Sequence, residues 1–251
     1  DGPFSVTVEP AERDDEAGGA GDGGYDDRRT VLEADQLLVA AGRTPNADDI
    51  GLDSVGVETT DRGYVSPVGP DGRVDGVDGG WLYAVGDVNG EVLLTHMGKY
   101  QARSCGDAIA ARAAGKLGDV VEPWSPYAAT AQGLGAPQVV FTEPEVAASV
   151  LTEAEARARG IDVQVVEYDI GDVSGASLHR DRYKGTARMV IDRSRRVVVG
   201  VTMVGPDVGE LIHAATVAIV GEVSLDRLWH ATPSFPTMSE IYLRLLEDAG
   251  L

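Results

Sequence analysis

Cysteine is almost missing from this chain. Among its 251 residues only Cys105 is a cysteine, so an intrachain disulfide and a cysteine-rich metal site are both excluded. Lysine is nearly as scarce: Lys99, Lys116 and Lys184 are lysines, and every other basic residue is an arginine. Aromatic residues make up 6%, which leaves the core to aliphatic side chains. There is no apolar run of about 18 residues, the length that reads as a membrane-spanning helix, and no secretory leader is visible. No membrane span is therefore expected, and the cytoplasm is the default compartment. No GxGxxG loop follows a strand and opens a helix, the arrangement that cradles a ligand's phosphates.

Positive charge is also in deficit. Against 41 acidic residues stand 21 basic ones, a formal net charge of -20. Such a surface repels phosphate backbones, so nucleic acid is excluded as a partner. Acidic, lysine-poor surfaces suit concentrated salt, which screens self-repulsion. GC-rich coding also favours arginine, and both explanations stay open. The length allows one large domain or two of ordinary size.

Three regions can be read along the chain. Residues 4–8 alternate like a strand, residues 11–29 form an acidic, glycine-rich surface turn, and strand character resumes over 29–39. Two strands around a loop bury no apolar face by themselves, so residues 1–43 read as the end of a larger domain. In the second region, 44–135, residues 63–66 predict a short strand and 81–85 (WLYAV) a buried parallel strand. Residues 96–114 predict a helix carrying Met97, Tyr100, Ala108, Ile109 and Ala113 at near-helical spacing. Gly98 and Gly106 weaken that helix but permit close backbone approach. Residues 115–127, with two prolines, read as a connection. In the third region, 136–251, strands are predicted over 137–141 and 163–168, with a hairpin over 185–192 and 196–204. Thr152 and Glu155 have capping-box spacing. Helices are predicted from Pro206, after Ser224, and after Thr237, with Thr237 and Glu240 spaced as a second capping box. Strands with segregated helices make this region α+β.

Several motifs, in order, resemble the flavin-dependent pyridine nucleotide–disulfide oxidoreductases. LLVAAGRTPN (37–46) looks like the close of that family's NAD(P)-binding domain. WLYAVGD (81–87) resembles its second flavin motif, Leu94-Thr95-His96 the segment beside the flavin ring, and FTEPEVAASVLTEAEA (141–156) the start of its dimerisation domain. VGPDVGELI (204–212) and FPTMSE (235–240) fit that domain too. The resemblance implies α/β FAD/NAD(P)-binding domain remnants followed by an α+β dimerisation domain with an antiparallel sheet. Their expected boundaries are 1–43 for the end of the NAD(P)-binding domain, 44–135 for the C-terminal part of the FAD-binding domain and 136–251 for the dimerisation domain. It implies FAD and NAD(P)H as cofactors, a homodimer through the C-terminal domain, and a small-molecule electron acceptor.

The site residues follow from the same resemblance. Asp87, freed for close approach by Gly86, is expected to hydrogen-bond the ribityl chain of FAD; an ordinary turn aspartate is the bland alternative. Leu94, Thr95, His96 and Met97 are expected beside the isoalloxazine, where helix-opening amides would stabilise negative charge on reduction. His96 also reads as a simple polar contact at a helix start. In the disulfide reductases an acid–base histidine, oriented by a glutamate, opens the segment that reads FPTMSE here. This chain has Phe235 there, with Glu240 retained. Phenylalanine carries no proton, so acid–base chemistry at this position is excluded, and an aromatic face suits a quinone or other planar acceptor. Glu240 also reads as a helix cap, His230 as a displaced acid, Trp229 and Tyr242 as core or interface aromatics, and Cys105 as a small buried hydrophobe. No metal site is expected. The expected function is a fragment of an FAD-dependent NAD(P)H oxidoreductase passing electrons to a quinone or similar acceptor, inactive on its own. The alternatives are a thiol–disulfide reductase resembling dihydrolipoamide, mycothione or mercuric reductases, and a non-catalytic dimerisation module.

Overall fold

The computed structural model describes residues 3–9 and 29–251. The acidic glycine-rich stretch therefore lies, through residue 28, outside the described residues. The chain divides into two units, Asp1–Thr44 and Pro45–Leu251.

The first unit holds an antiparallel ribbon of β1 (Phe4–Val8) and β2 (Thr30–Ala34), paired from Phe4↔Ala34 to Val8↔Thr30. The expected strand over 29–39 stops at Ala34. The next residue opposite would be Pro3, which has no N–H to give the ladder. Leu37, Leu38 and Val39 are consequently exposed.

The second unit begins with loops around a small core of Ala47, Val57, Val65, Val74, Val77 and Ala84. The expected strands at 63–66 and 81–85 are reduced to isolated bridges, Thr59↔Val65 and Arg73↔Tyr83. A buried parallel strand needs neighbours on both sides. Here residues 81–85 have only the 72–74 turn beside them, through Val74 N–H to Leu82 O and Ala84 N–H to Gly72 O, and Trp81 is 60% exposed. α1 (Thr95–Ala113) forms as expected, but its buried stripe is Met97, Gln101, Ser104, Cys105, Ala108 and Ala111. Ile109 points outward. Small residues dominate this stripe because α1 lies close on the 72–86 loops. A Cβ on Gly72 would stand 3.5 Å from the Cys105 Sγ. No such crowding exists at Gly106, where a Cβ meets nothing within 4 Å.

The rest of the unit is an α+β layer. Its five strands are β3 (Pro137–Val140), β4 (Glu145–Val150), β5 (Val163–Asp169), β6 (Thr186–Asp192) and β7 (Val197–Gly205), ordered β3-β4-β7-β6-β5 and antiparallel throughout. β7 is central, and its run VVVGVTMVG is buried on both faces nearly end to end. β4 is an addition to the expected strands. It is half-buried, with Ala147 and Ser149 inward. Helices α2 (Glu153–Ala158), α3 (Ser174–His179), α4 (Ile212–Val220), α5 (Leu225–Leu228) and α6 (Glu240–Asp248) complete the unit. The core gathers Met189, Val201 and Met203 from the sheet with Ile212, Ala215, Ile241 and Leu245 from the helices. Among the described residues no helix is long and apolar enough to cross a membrane.

The Thr152–Glu155 capping box is present in both directions: the Thr152 hydroxyl accepts from Glu155 N–H at 3.2 Å, and the Glu155 carboxylate accepts from Thr152 N–H at 2.7 Å. The second box is not. Thr237 Oγ1 donates to Ser234 O at 2.6 Å, and Ser239 precedes α6 without a side-chain cap. The helix expected from Pro206 starts only at Ile212, after a 3₁₀ turn at Val208–Glu210.

Two substitutions test this packing. A Cβ on Gly200 would lie 1.7 Å from the Leu151 carbonyl oxygen; Gly200→Ala is expected to lower the unfolding free energy by about 2–3 kcal/mol, read from the urea midpoint. Thr152→Ala is expected to remove about 1 kcal/mol at neutral pH. The Thr152 backbone N–H, and then its hydroxyl, hold the Glu155 carboxyl below its ordinary range. That contribution is full above the unfolded pKa and is lost as pH falls through the folded one. The difference between wild type and T152A should therefore shrink in acid, and a constant difference from neutrality to about pH 3 would contradict the box.

Candidate functional site

The chain enters the site through Val85, which is extended, and turns at Gly86, whose φ of 77° no ordinary side chain adopts comfortably. A 3₁₀ turn covers Gly86–Asn89 and closes at Gly90, again left-handed, against the ring of Tyr64. Residues 91–94 then lead into α1. The helix start packs back on the turn: a Cβ on Gly98 would stand 3.2 Å from the Gly86 Cα. The close approach expected of Gly86 and Gly98 is thus made by these two residues with each other.

The opening of α1 carries no side-chain cap. Met97 N–H and Gly98 N–H both donate to Leu94 O at 3.0 Å, which leaves the amides of Thr95 and His96 at the helix's positive end. Thr95 and His96 are exposed, Leu94 is half-buried, and Met97 is a core residue. Met97 therefore anchors the helix start from below. His96 Nε2 lies 2.7 Å from Pro137 O. A carbonyl only accepts, so Nε2 holds the proton and ties α1 to β3. Asp87 is half-buried beside Gly86.

Beneath the turn lies a polar layer that the sequence reading did not single out. Asn89 and Gln101 are both 4% exposed. Gln101 Oε1 accepts from Gly86 N–H at 2.6 Å and from Asn89 Nδ2 at 3.1 Å. Gln101 Nε2 donates to Gln132 Oε1 at 3.0 Å. One signal was available: Gln101 follows Met97 by one helical turn, so it sits on the apolar stripe. Further along, Arg112 Nη1 pairs with buried Asp71 at 2.6 Å and reaches the Tyr83 hydroxyl at 3.1 Å. Cys105 is buried as expected, and burial, then Asp71, push its thiol pKa up while Arg112 pulls it down. It is an inert thiol.

The second group of expected residues stands in the sheet domain. Phe235 is 74% exposed. Glu240 is 5% exposed at the first turn of α6, where Oε1 accepts from Arg244 Nη2 at 2.5 Å. Its Oε2 is buried with no hydrogen-bond partner. The capping role for Glu240 is absent, because its side chain runs along the helix to Arg244. Backbone 237–238 is seated on α3: a Cβ on Gly175 would fall 2.1 Å from Thr237 C. His230 is exposed after α5. Among the described residues no hydrogen bond or ion pair joins its ring to Glu240. Tyr242 is a core aromatic, its hydroxyl donating to Leu211 O at 2.6 Å. A cavity of about 460 Å³ between β6–β7 and α4–α6 has no residue of the Gly86 turn in its lining. No group of His, Cys, Asp or Glu among the described residues could hold a metal ion.

The uncapped helix start beside the glycine turn is of the kind that takes the polar, charge-bearing part of a flavin. A fit to a nicotinamide dinucleotide is not found in the described residues. Gly19, Gly21 and Gly24 have GxGxxG spacing by count. They lie outside the described residues.

Comparison with known proteins agrees with this layout. The pyridine nucleotide-disulphide oxidoreductase model matches residues 5–115, and the model of that family's dimerisation domain matches residues 136–245. The dihydrolipoyl dehydrogenase of Bacillus subtilis (strain 168) is 30% identical over 219 residues, 87% of this chain and 42% of that protein. Dihydrolipoyl dehydrogenase 3 of Haloarcula marismortui is 31% identical over 218 residues, again 87% of this chain and 42% of that protein. The chain thus spans about two fifths of the curated relatives it matches. Among solved structures, the HOCl-induced flavoprotein disulfide reductase RclA from Escherichia coli superposes with a TM-score of 0.68 at 22% identity, covering 87% of this chain and 46% of that one; this likeness concerns the fold. The chain belongs to the pyridine nucleotide-disulphide oxidoreductase family, with an FAD/NAD(P)-binding-type region followed by a dimerisation domain.

Proposed function

We propose that this chain works as part of a longer FAD-dependent NAD(P)H oxidoreductase that reduces a disulfide. The observation that carries the flavin half is the Gly86 turn packed on the open start of α1. The disulfide half is supported by the similarity to dihydrolipoyl dehydrogenases, which favours this reading over the quinone expected from Phe235 alone. The chemistry supplied by bound FAD is acceptance of hydride from NAD(P)H and delivery of electrons to the acceptor. Asp87 would accept a hydrogen bond from a ribityl hydroxyl. Leu94 would line the ring's edge, and the amides of Thr95 and His96 would stabilise negative charge there. Phe235 removes the usual acid–base group, so the proton that accompanies thiol release must be handled elsewhere. The residues at 136–251 would form the two-fold interface of a homodimer.

A quinone acceptor remains the second reading, favoured by the exposed ring of Phe235. Full-length protein decides between them. Flavin content is measured first, then NADH and NADPH oxidation with the cyclic disulfide lipoamide and with a benzoquinone. Disulfide turnover well above quinone turnover supports the proposal; turnover with quinone alone supports the second reading; a colourless protein overturns both.

Asp87→Ala is expected to weaken FAD binding about 10- to 100-fold, the loss of one charge-assisted hydrogen bond. The ratio of flavin to protein absorbance after gel filtration, against wild type, reads the effect. An unchanged ratio and dissociation constant would remove Asp87 from the cofactor site.

A further inference from the structure

We infer that Gln101 is the positioning residue of the flavin turn, and that through it the turn is fastened to the segment leading into the sheet domain. The inference rests on the FAD reading above. Its basis is a forced arrangement of hydrogen bonds. Gly86 N–H can only donate, so the Gln101 atom 2.6 Å away must be the oxygen. The same oxygen takes Asn89 Nδ2 at 3.1 Å. The Gln101 nitrogen is then turned to Gln132, whose oxygen must face back at 3.0 Å. Asn89 is fixed likewise, donating to Ala84 O at 3.3 Å and accepting from Glu91 N–H at 3.0 Å. One backbone amide therefore orients a chain of three carboxamides.

The geometry explains why the turn needs this residue. A left-handed glycine aims its amide away from any ladder, and a buried amide without an acceptor is costly. Gln101 supplies the acceptor from α1, so the amide that precedes Asp87 is held from the helix side. The far end is anchored three times. Besides Gln101 to Gln132, the Tyr100 hydroxyl accepts from Ala131 N–H at 3.2 Å, and His96 bonds Pro137 O at 2.7 Å. Successive turns of α1 thus grip residues 131–137, where the chain passes into β3.

The test uses the full-length flavoprotein with Gln101→Leu, which keeps bulk and loses every bond, and Gln101→Glu, which keeps the acceptor and lets Gln132 rotate its amide to donate. Q101L is expected to weaken FAD about tenfold and to shift the flavin's visible spectrum and midpoint potential. Q101E is expected to retain FAD within about threefold of wild type. Q101L holding FAD within about twofold, with an unshifted potential, overturns the inference. Should Q101L fail to fold, hydrogen exchange on wild-type protein stripped of FAD decides. A protected Gly86 amide supports the inference, and one exchanging like an unstructured amide overturns it. Wild type without flavin overturns the FAD reading itself, whereas wild type with flavin and an indifferent Q101L overturns only the role of Gln101.

Discussion

The approach of Gly86 to Gly98 is the constraint from which the rest of the geometry around this turn follows. Two positions without Cβ atoms let a turn rest on a helix start, with less than 3.4 Å to spare for any side chain on Gly98. Once they touch, Gln101, one turn further along α1, is the side chain within reach of the Gly86 amide. A methyl group at Gly98 would stand 3.2 Å from the Gly86 Cα, so the turn would have to give by a few tenths of an ångström to keep these relations. The chemistry available here is therefore set by two absences of side chain and one buried amide.

Polar layers of different character support this arrangement. The carboxamides of Asn89, Gln101 and Gln132 are neutral and mutually satisfied, so they specify direction with little desolvation cost. Asp71 and Arg112, further down α1, form a buried ion pair that joins the helix to the 69–73 turn. Removing one partner of such a pair leaves an uncompensated charge, while the intact pair adds little over apolar packing. Its value here is registry: the pair, with Tyr83 and Gly118 also held by Arg112, fixes how far along α1 the loops sit.

Legibility in the sequence tracked how local each feature was. Glycine at 86, the helix over 95–113, the Thr152 box and the β6–β7 hairpin depend on neighbours a few residues away, and each could be read. The apolar run at 81–85 read as a strand because its composition suits one, yet a strand is made by its neighbours, and only a turn lies beside it. Thr237 and Glu240 had cap spacing, but Ser234 O and Arg244 take their side chains instead. Gln101 and Gly175 matter through contacts with residues 15 and more positions away. No local pattern reveals such contacts, apart from a polar residue standing on an apolar stripe.

The Phe235 segment shows how one substitution changes the demands on its surroundings. A glutamate buried at the start of α6 has one oxygen on Arg244 and the other without a donor. A buried carboxylate oxygen left so is expensive, and such a group needs a compensating interaction elsewhere on the same side chain. Arg244 already gives Glu240 a partner one turn along, and negative charge at a helix's first turn is favourable, so the helix accounts for half of the group. The other oxygen stays buried without a donor, while Phe235, five residues earlier, projects into solvent. An aromatic ring that exposed is unfavourable on a solitary protomer and reasonable on one whose dimerisation face is covered. The exposed ring therefore suits a domain of the dimerisation type, in which such a face is covered by a second copy.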